Sequence, residues 1–184
     1  MLLEDDIINI IIGHCRKCGK RQMILYVLVP VLIMIGTSTE LLHSQSETIR
    51  INEFMALNQT TLADADGDYS DWIELYNATA ASINLSGWSL TDENGVPRKW
   101  IIPDITLSAN NYLIIFASGK DRNNTDAELH TNFKLSGDGE YFALFNSAES
   151  VVSEFNPTFP PQLTDISFGY FEGDYLASTT PTPG

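Results

Sequence analysis

Four aspartates are the most prominent candidates for chemistry in this 184-residue chain. Asp64, Asp66, Asp68 and Asp71 stand at alternate or nearly alternate positions around Gly67, in a predicted loop. Calcium takes several oxygen ligands on a flexible loop, so this spacing could wrap the four carboxylates around one ion. The pattern is not an EF-hand, because glycine is fourth rather than sixth when Asp64 is counted first. A solvated, turn-forming acidic loop is the alternative, since Asp and Gly also suit tight turns. No other cofactor is expected.

Groups suited to enzymatic chemistry are few after Ser46. That part of the chain has no cysteine and a single histidine, His130. A lone histidine without a nucleophile motif is more often a hydrogen-bonded structural residue than a catalyst. Glu53 and Glu74 could form a carboxylate pair, but both lie on predicted strands whose alternation favours solvent-facing positions. The sequence also lacks the G-x-S-x-G and H-E-x-x-H motifs, so we expect no enzymatic activity.

Large aromatic residues offer two interpretations. Trp72, Tyr76, Trp88 and Trp100 could form a carbohydrate- or peptide-binding face, because large amphipathic rings favour interfaces. Packing inside a sheet structure is the alternative and is favoured, because strands also use aromatic residues in their core.

The two cysteines, Cys15 and Cys18, form one Cys-x-x-Cys pair near the N-terminus. Such a pair supplies half the ligands of a structural zinc site, and His14 is the only nearby histidine. We therefore interpret the pair as incidental to the segment that contains it.

Residues 1–46 have the organisation of a targeting segment. A basic cluster at 16–21 precedes an uncharged apolar run at 23–35, which is followed by the small polar residues 36–39. This order is typical of a secretory signal, and an uncleaved helical signal anchor is the alternative. Residues 1–15 fit neither scheme well, so we hypothesise that the true start lies downstream of Met1. Either form would place the body outside the cytoplasm, secreted or membrane-anchored, with this segment as its only membrane contact.

The charge of the chain lies entirely in its body. The protein has 24 acidic and 10 basic side chains, a formal charge of −14. The first forty residues contain four of each, so the remainder carries the whole excess. Because nucleic-acid binding depends on cationic contacts with phosphate, the sequence argues against a nucleic-acid partner.

The body, residues 47–175, predicts an all-β sandwich. Short apolar runs alternate with clusters of Gly, Asn, Asp, Ser and Pro, without a convincing helical period. The predicted strands are 48–56, 71–77, 82–85, 88–91, 99–102, 112–117, 140–145, 151–155 and 166–170. Residues 176–184 have the Thr/Pro composition of a linker, which predicts that the chain is truncated there.

Several motifs in this body resemble the bacterial lamin-tail domain family. They are residues 51–56, 64–77, 85–92, 100–103, 113–121, 129–136 and 139–141, in order along most of the body. The resemblance implies an immunoglobulin-like β-sandwich, which agrees with the strand pattern. It also implies an exported domain joined to other modules. Members commonly continue past a Thr-Pro-Thr-Pro-Gly ending, so the chain resembles the front part of a longer protein. The resemblance supplies no catalytic residues.

The expected function is that of a non-enzymatic, exported β-sandwich module that mediates protein or cell-surface interactions, with a protein or surface polymer as partner. The alternative is an accessory domain of a longer extracellular hydrolase whose catalytic part is absent from this chain. Nucleic-acid binding by analogy with nuclear lamins is a third option, and the acidic body disfavours it.

Overall fold

A computed structural model describes residues 49–184. These residues are all-β and contain no helix. The twelve strands are β1 (Ile49–Met55), β2 (Asp71–Asn77), β3 (Ile83–Asn84), β4 (Ser89–Thr91), β5 (Trp100–Ile101), β6 (Thr106–Leu107), β7 (Tyr112–Ala117), β8 (Leu129–His130), β9 (Phe142–Phe145), β10 (Val151–Phe155), β11 (Ser167–Phe171) and β12 (Asp174–Ser178).

The strands form two main sheets and a small one. The first has the order β12-β11-β1-β2-β7-β8, the second β10-β9-β4-β5, and β3 pairs with β6. All pairs are antiparallel except β7 with β8. Strands β7 and β9, whose apolar runs predict central positions, each lie between two neighbours.

One hydrophobic core lies between the two main sheets. It combines Ile51 and Leu75 of the six-stranded sheet with Leu90 and Leu144 of the four-stranded sheet. Alternation directs these side chains inward, as expected for strands that cover a core on one face. A bulge between Ile51 and Glu53 shifts the register of β1 against β2.

An aromatic cluster closes this core. Phe54 has its ring centroid 4.8 Å from that of Phe159 and 5.8 Å from those of Phe142 and Phe168, all in edge-on geometry. Phe159 lies in the long connection between β10 and β11, and only 1% of its surface is exposed. Edge-on aromatic pairs add to the free energy gained by burial, so this loop contributes to the core.

The strand predictions are largely confirmed. Strands β2, β7 and β10 have the predicted bounds, whereas β6, β8 and β12 were missed. Strand β12 corrects the linker prediction for 176–184, because residues 176–178 pair with β11. The predicted N-terminal helix and the Cys15/Cys18 pair lie outside the described residues. Within residues 49–184, no helix has the length and hydropathy needed to cross a bilayer.

Candidate functional site

The loop between β1 and β2 gathers three of the four predicted calcium ligands. The Oδ1 atom of Asp64 accepts hydrogen bonds from the backbone N–H groups of Asp66, at 3.0 Å, and Asp68, at 2.9 Å. Gly67 has a φ of 85°, a left-handed conformation that glycine adopts without steric cost. The turn brings one carboxylate oxygen from each aspartate within 4.8 Å of the others. We call these three residues the acidic cluster.

A lysine from a distant loop contacts the whole acidic cluster. Lys120 Nζ lies 2.5, 2.7 and 2.9 Å from the Oδ2 atoms of Asp64, Asp66 and Asp68. Arg122 adds a contact of 2.8 Å to Asp66. Burial opposes the charge of Lys120, but the hydrogen bonds with the carboxylates outweigh it and raise its pKa. Burial also opposes the charge of Asp64 and by itself would raise the pKa of this carboxyl group. The hydrogen bonds from Lys120 and from the backbone outweigh burial, so the pKa of Asp64 lies below its ordinary value.

Asp71, the fourth predicted ligand, does not join this cluster. It begins β2, and its Oδ2 accepts a hydrogen bond of 3.2 Å from the backbone N–H of Leu135. Burial raises the pKa of Asp71 to about 7, although the backbone N–H groups of Leu135 and Asn58 and the nearby Lys134 ammonium act in the opposite direction. Asp71 is therefore a partly desolvated carboxyl group in a different environment.

The structure thus defines what calcium binding would require. Lys120 Nζ contacts the Oδ2 atom of each of the three aspartates, so a calcium ion that used these oxygens would have to displace the ammonium group. Calcium binding by the predicted ligands stays a prediction. Sequence reasoning missed Lys120 because it lies 56 positions from Asp64, beyond the reach of any local spacing pattern.

A cleft of about 510 Å³ adjoins the acidic cluster. Its walls include the apolar side chains of Ala56, Leu57, Ala117 and Leu135. The polar groups that line it are Asp68, Tyr69, Ser70, Asp71, Ser118, Lys120 and Lys134. The cleft therefore combines a small apolar wall with hydrogen-bonding groups of both charges.

His130 has the surroundings of a structural residue. Only 1% of it is exposed, its Nδ1 lies 3.0 Å from Ser118 Oγ, and its ring stacks on Phe116 at 5.3 Å. Burial lowers the pKa of His130, and the Lys120 charge does the same, which favours neutral imidazole. Its contacts fit the structural interpretation made from the sequence.

Glu53 and Glu74 do not face solvent, so the solvent-facing prediction is wrong. Neither residue is exposed, and they lie opposite each other on β1 and β2. Buried carboxylates need hydrogen-bond partners. Asn52 Nδ2 supplies one bond to Glu74 Oε1 at 2.7 Å.

The C-terminal tail, residues 179–184, supplies further partners. Thr182 donates from its backbone N–H to Glu53 at 3.2 Å and from its hydroxyl at 2.9 Å. The backbone N–H of Gly184 donates to Glu74 Oε2 at 2.6 Å. Burial raises the pKa of Glu74, whereas the Gly184 and Asn52 hydrogen bonds lower it. Strand alternation alone could not reveal this cover, because it comes from residues more than one hundred positions away.

The aromatic residues mostly pack inside the domain. Trp72 is completely buried and Trp100 is 3% exposed, while Trp88 packs against the main core. Tyr76 is partly buried and has its ring 4.6 Å from that of Tyr112. The four residues therefore do not form one exposed face.

The protein has two mostly antiparallel sheets that share one core, and residues 49–184 contain no helix. This architecture defines an all-β protein and is consistent with an immunoglobulin-like β-sandwich. Residues 43–158 match the family model for the Lamin Tail Domain, so the chain belongs to the lamin tail domain family. This match confirms the resemblance drawn from the sequence motifs. None of the curated proteins compared with the chain matches it. Strands β11 and β12 lie beyond the matched residues and complete the six-stranded sheet.

Proposed function

We propose that this lamin tail domain is a non-enzymatic, exported module that mediates protein or cell-surface interactions. The proposal rests on family membership together with the way its ionisable groups are used. Glu53 and Glu74 are held by Asn52 and the tail, and His130 is stacked and hydrogen-bonded in the core. Because these ionisable side chains serve to stabilise the sandwich, we favour a binding or spacer role for the domain over catalysis.

Export is supported by the order of charge and hydropathy in residues 1–46, followed by an acidic body. The acidic excess also opposes binding to nucleic acids and to anionic surfaces, so the partner would be a protein or a neutral surface polymer. We therefore expect no shift of duplex DNA by the full chain at low salt; a saturable, salt-sensitive shift would contradict the proposed charge argument.

Cell fractionation of the full chain in a bacterial host tests export. We expect the body outside the cytoplasm, where added protease can reach it after the outer layers are opened. The matched control carries Leu28→Arg and Leu32→Arg, because two charges in the apolar run should prevent recognition as a signal or anchor. Equal cytoplasmic retention of both forms would refute the export proposal.

A further inference from the structure

The cleft beside the acidic cluster presents three groups that the domain itself leaves available. Tyr69 is 49% exposed, and its side chain makes no hydrogen bond or ring contact within residues 49–184. The Lys134 ammonium has no ion pair within those residues. Asp71 accepts hydrogen bonds from the backbone N–H groups of Leu135 and Asn58 and still has acceptor capacity, since a carboxylate offers about four lone-pair sites. An aromatic ring, a donor and an acceptor thus line the same cleft.

Acidic and basic side chains are equal in number in the lining of the cleft: Asp68 and Asp71 face Lys120 and Lys134. Lys120 also contacts Asp64 and Asp66, which offsets its charge further. Asp71, whose pKa burial raises to about 7, is partly protonated at neutral pH. The cleft therefore has no strong excess of either charge to attract a highly charged ligand. The surrounding body, which carries the −14 charge of the chain, further disfavours polyanions. The complementary ligand is neutral and rich in hydrogen-bonding groups.

We propose that this cleft binds a neutral saccharide unit of a surface glycan, with Tyr69 as the stacking platform and Asp71 and Lys134 as hydrogen-bonding partners. The C–H face of a sugar ring suits an amphipathic aromatic side chain, while its hydroxyls both donate and accept hydrogen bonds. The volume of about 510 Å³ lies within the usual range for small-ligand sites, about 300–1,000 Å³. This inference rests on the proposed function and specifies its ligand class.

A peptide fits the cleft less well than a saccharide. Extended peptides gain much of their affinity by pairing with a sheet edge, and helical peptides need a continuous apolar groove. The polar lining here is interrupted by only four apolar residues, two alanines and two leucines, and by one exposed ring. A ligand whose hydroxyls are spread around a compact ring makes fuller use of these groups.

The test uses the full chain and three neutral probes, the hexamers of glucose, mannose and N-acetylglucosamine. Isothermal titration should detect binding of at least one probe, and Tyr69→Ala should weaken it at least tenfold. Tyr69→Phe keeps the ring and should retain most of the affinity. Tyr112→Ala is the matched control, because Tyr112 is 42% exposed but does not line the cleft. Lys134→Met removes the ammonium donor from an exposed residue and should also weaken binding.

Absence of binding by all three hexamers at millimolar concentration would overturn the proposal. Equal affinities of the wild type and Tyr69→Ala for a sugar would overturn it too. The proposal would also fail if the sugars did not bind but an uncharged hexapeptide bound saturably and Tyr69→Ala abolished that binding. Circular dichroism of each variant checks that the sandwich is folded. Because export is measured separately, an exported chain that binds no saccharide refutes the cleft proposal alone, whereas cytoplasmic retention refutes the proposed function.

Discussion

Replacement of Asp71 by asparagine should stabilise the protein at alkaline pH. Asparagine has nearly the same shape and can still accept the Leu135 hydrogen bond through its side-chain carbonyl. It cannot ionise, so it avoids the cost of placing a negative charge in a partly buried position. The effect should therefore depend on pH in a direction that the environment of Asp71 determines.

The pKa of Asp71 is raised from 3.8 to about 7 by burial. At pH values between 3.8 and about 7, Asp71 keeps its proton in the folded protein but releases it in the unfolded chain. The favourable contribution of this group is fully present below pH 3.8 and is lost as the pH rises through 7. One pKa unit corresponds to about 1.4 kcal/mol. Since Asp71 retains some contact with water, we discount the full shift and expect Asp71→Asn to gain about 2–4 kcal/mol at pH 8.

Urea unfolding at pH 4 and at pH 8 measures this difference. The two proteins should have similar free energies of unfolding at pH 4, and the variant should be more stable at pH 8 with an unchanged m-value. Asp138→Asn is the matched control, since Asp138 is exposed and its replacement should change stability by less than about 0.5 kcal/mol at both pH values. A wild-type-like stability of Asp71→Asn at pH 8, or an equal gain at both pH values, would refute the reasoning.

Three further perturbations test the core, a turn and the acidic cluster. Phe159→Ala should cost about 3–5 kcal/mol in urea unfolding, whereas Val151→Ala, at a site that is 49% exposed, should cost little; similar losses would contradict the assigned core. Gly95→Ala should cost roughly 1–2 kcal/mol, and Gly139→Ala should cost clearly more. Both glycines have a φ of 85°, but only at Gly139 would an added Cβ meet a close backbone oxygen, that of Phe159. Thermal unfolding that ranks the two variants in reverse would argue against this packing. Lys120→Ala should increase the thermal stabilisation by added calcium relative to the wild type, because it frees the three carboxylates; an equal or smaller calcium effect in the variant would count against calcium binding at the cluster.

The longer strands were predictable because their alternation extends over several residues. Strand β2 comes after the turn-forming residues of the 64–68 loop and has the sequence Asp-Trp-Ile-Glu-Leu-Tyr-Asn. Its bounds could therefore be read from the sequence. Strands β6 and β8 contain two residues each, too few to display a period. Strand β12 was hidden because its turn uses Glu172 and Gly173, both with positive φ, instead of a more familiar Asn-Gly pair.

The candidate site was only half predictable for a related reason. The loop that gathers Asp64, Asp66 and Asp68 is local, so its spacing showed that the carboxylates could converge. The contacts that decide their chemistry are long-range, because Lys120 approaches from the segment after β7. Burial of Glu53 by Thr182 escaped prediction in the same way, since strand alternation describes a face but not what covers it.

Attachment of the tail over the six-stranded sheet also has a mechanical consequence. Thr182 is fixed at Glu53 on β1, and Gly184 is fixed at Glu74 on the adjacent β2. A pulling force applied at Gly184 would therefore load these attachments one after another, as in peeling, rather than all at once. The tail would detach at low force and lengthen the chain while the β11–β12 hairpin and the sandwich remained folded, so the domain would have a reserve of extensible chain at this end.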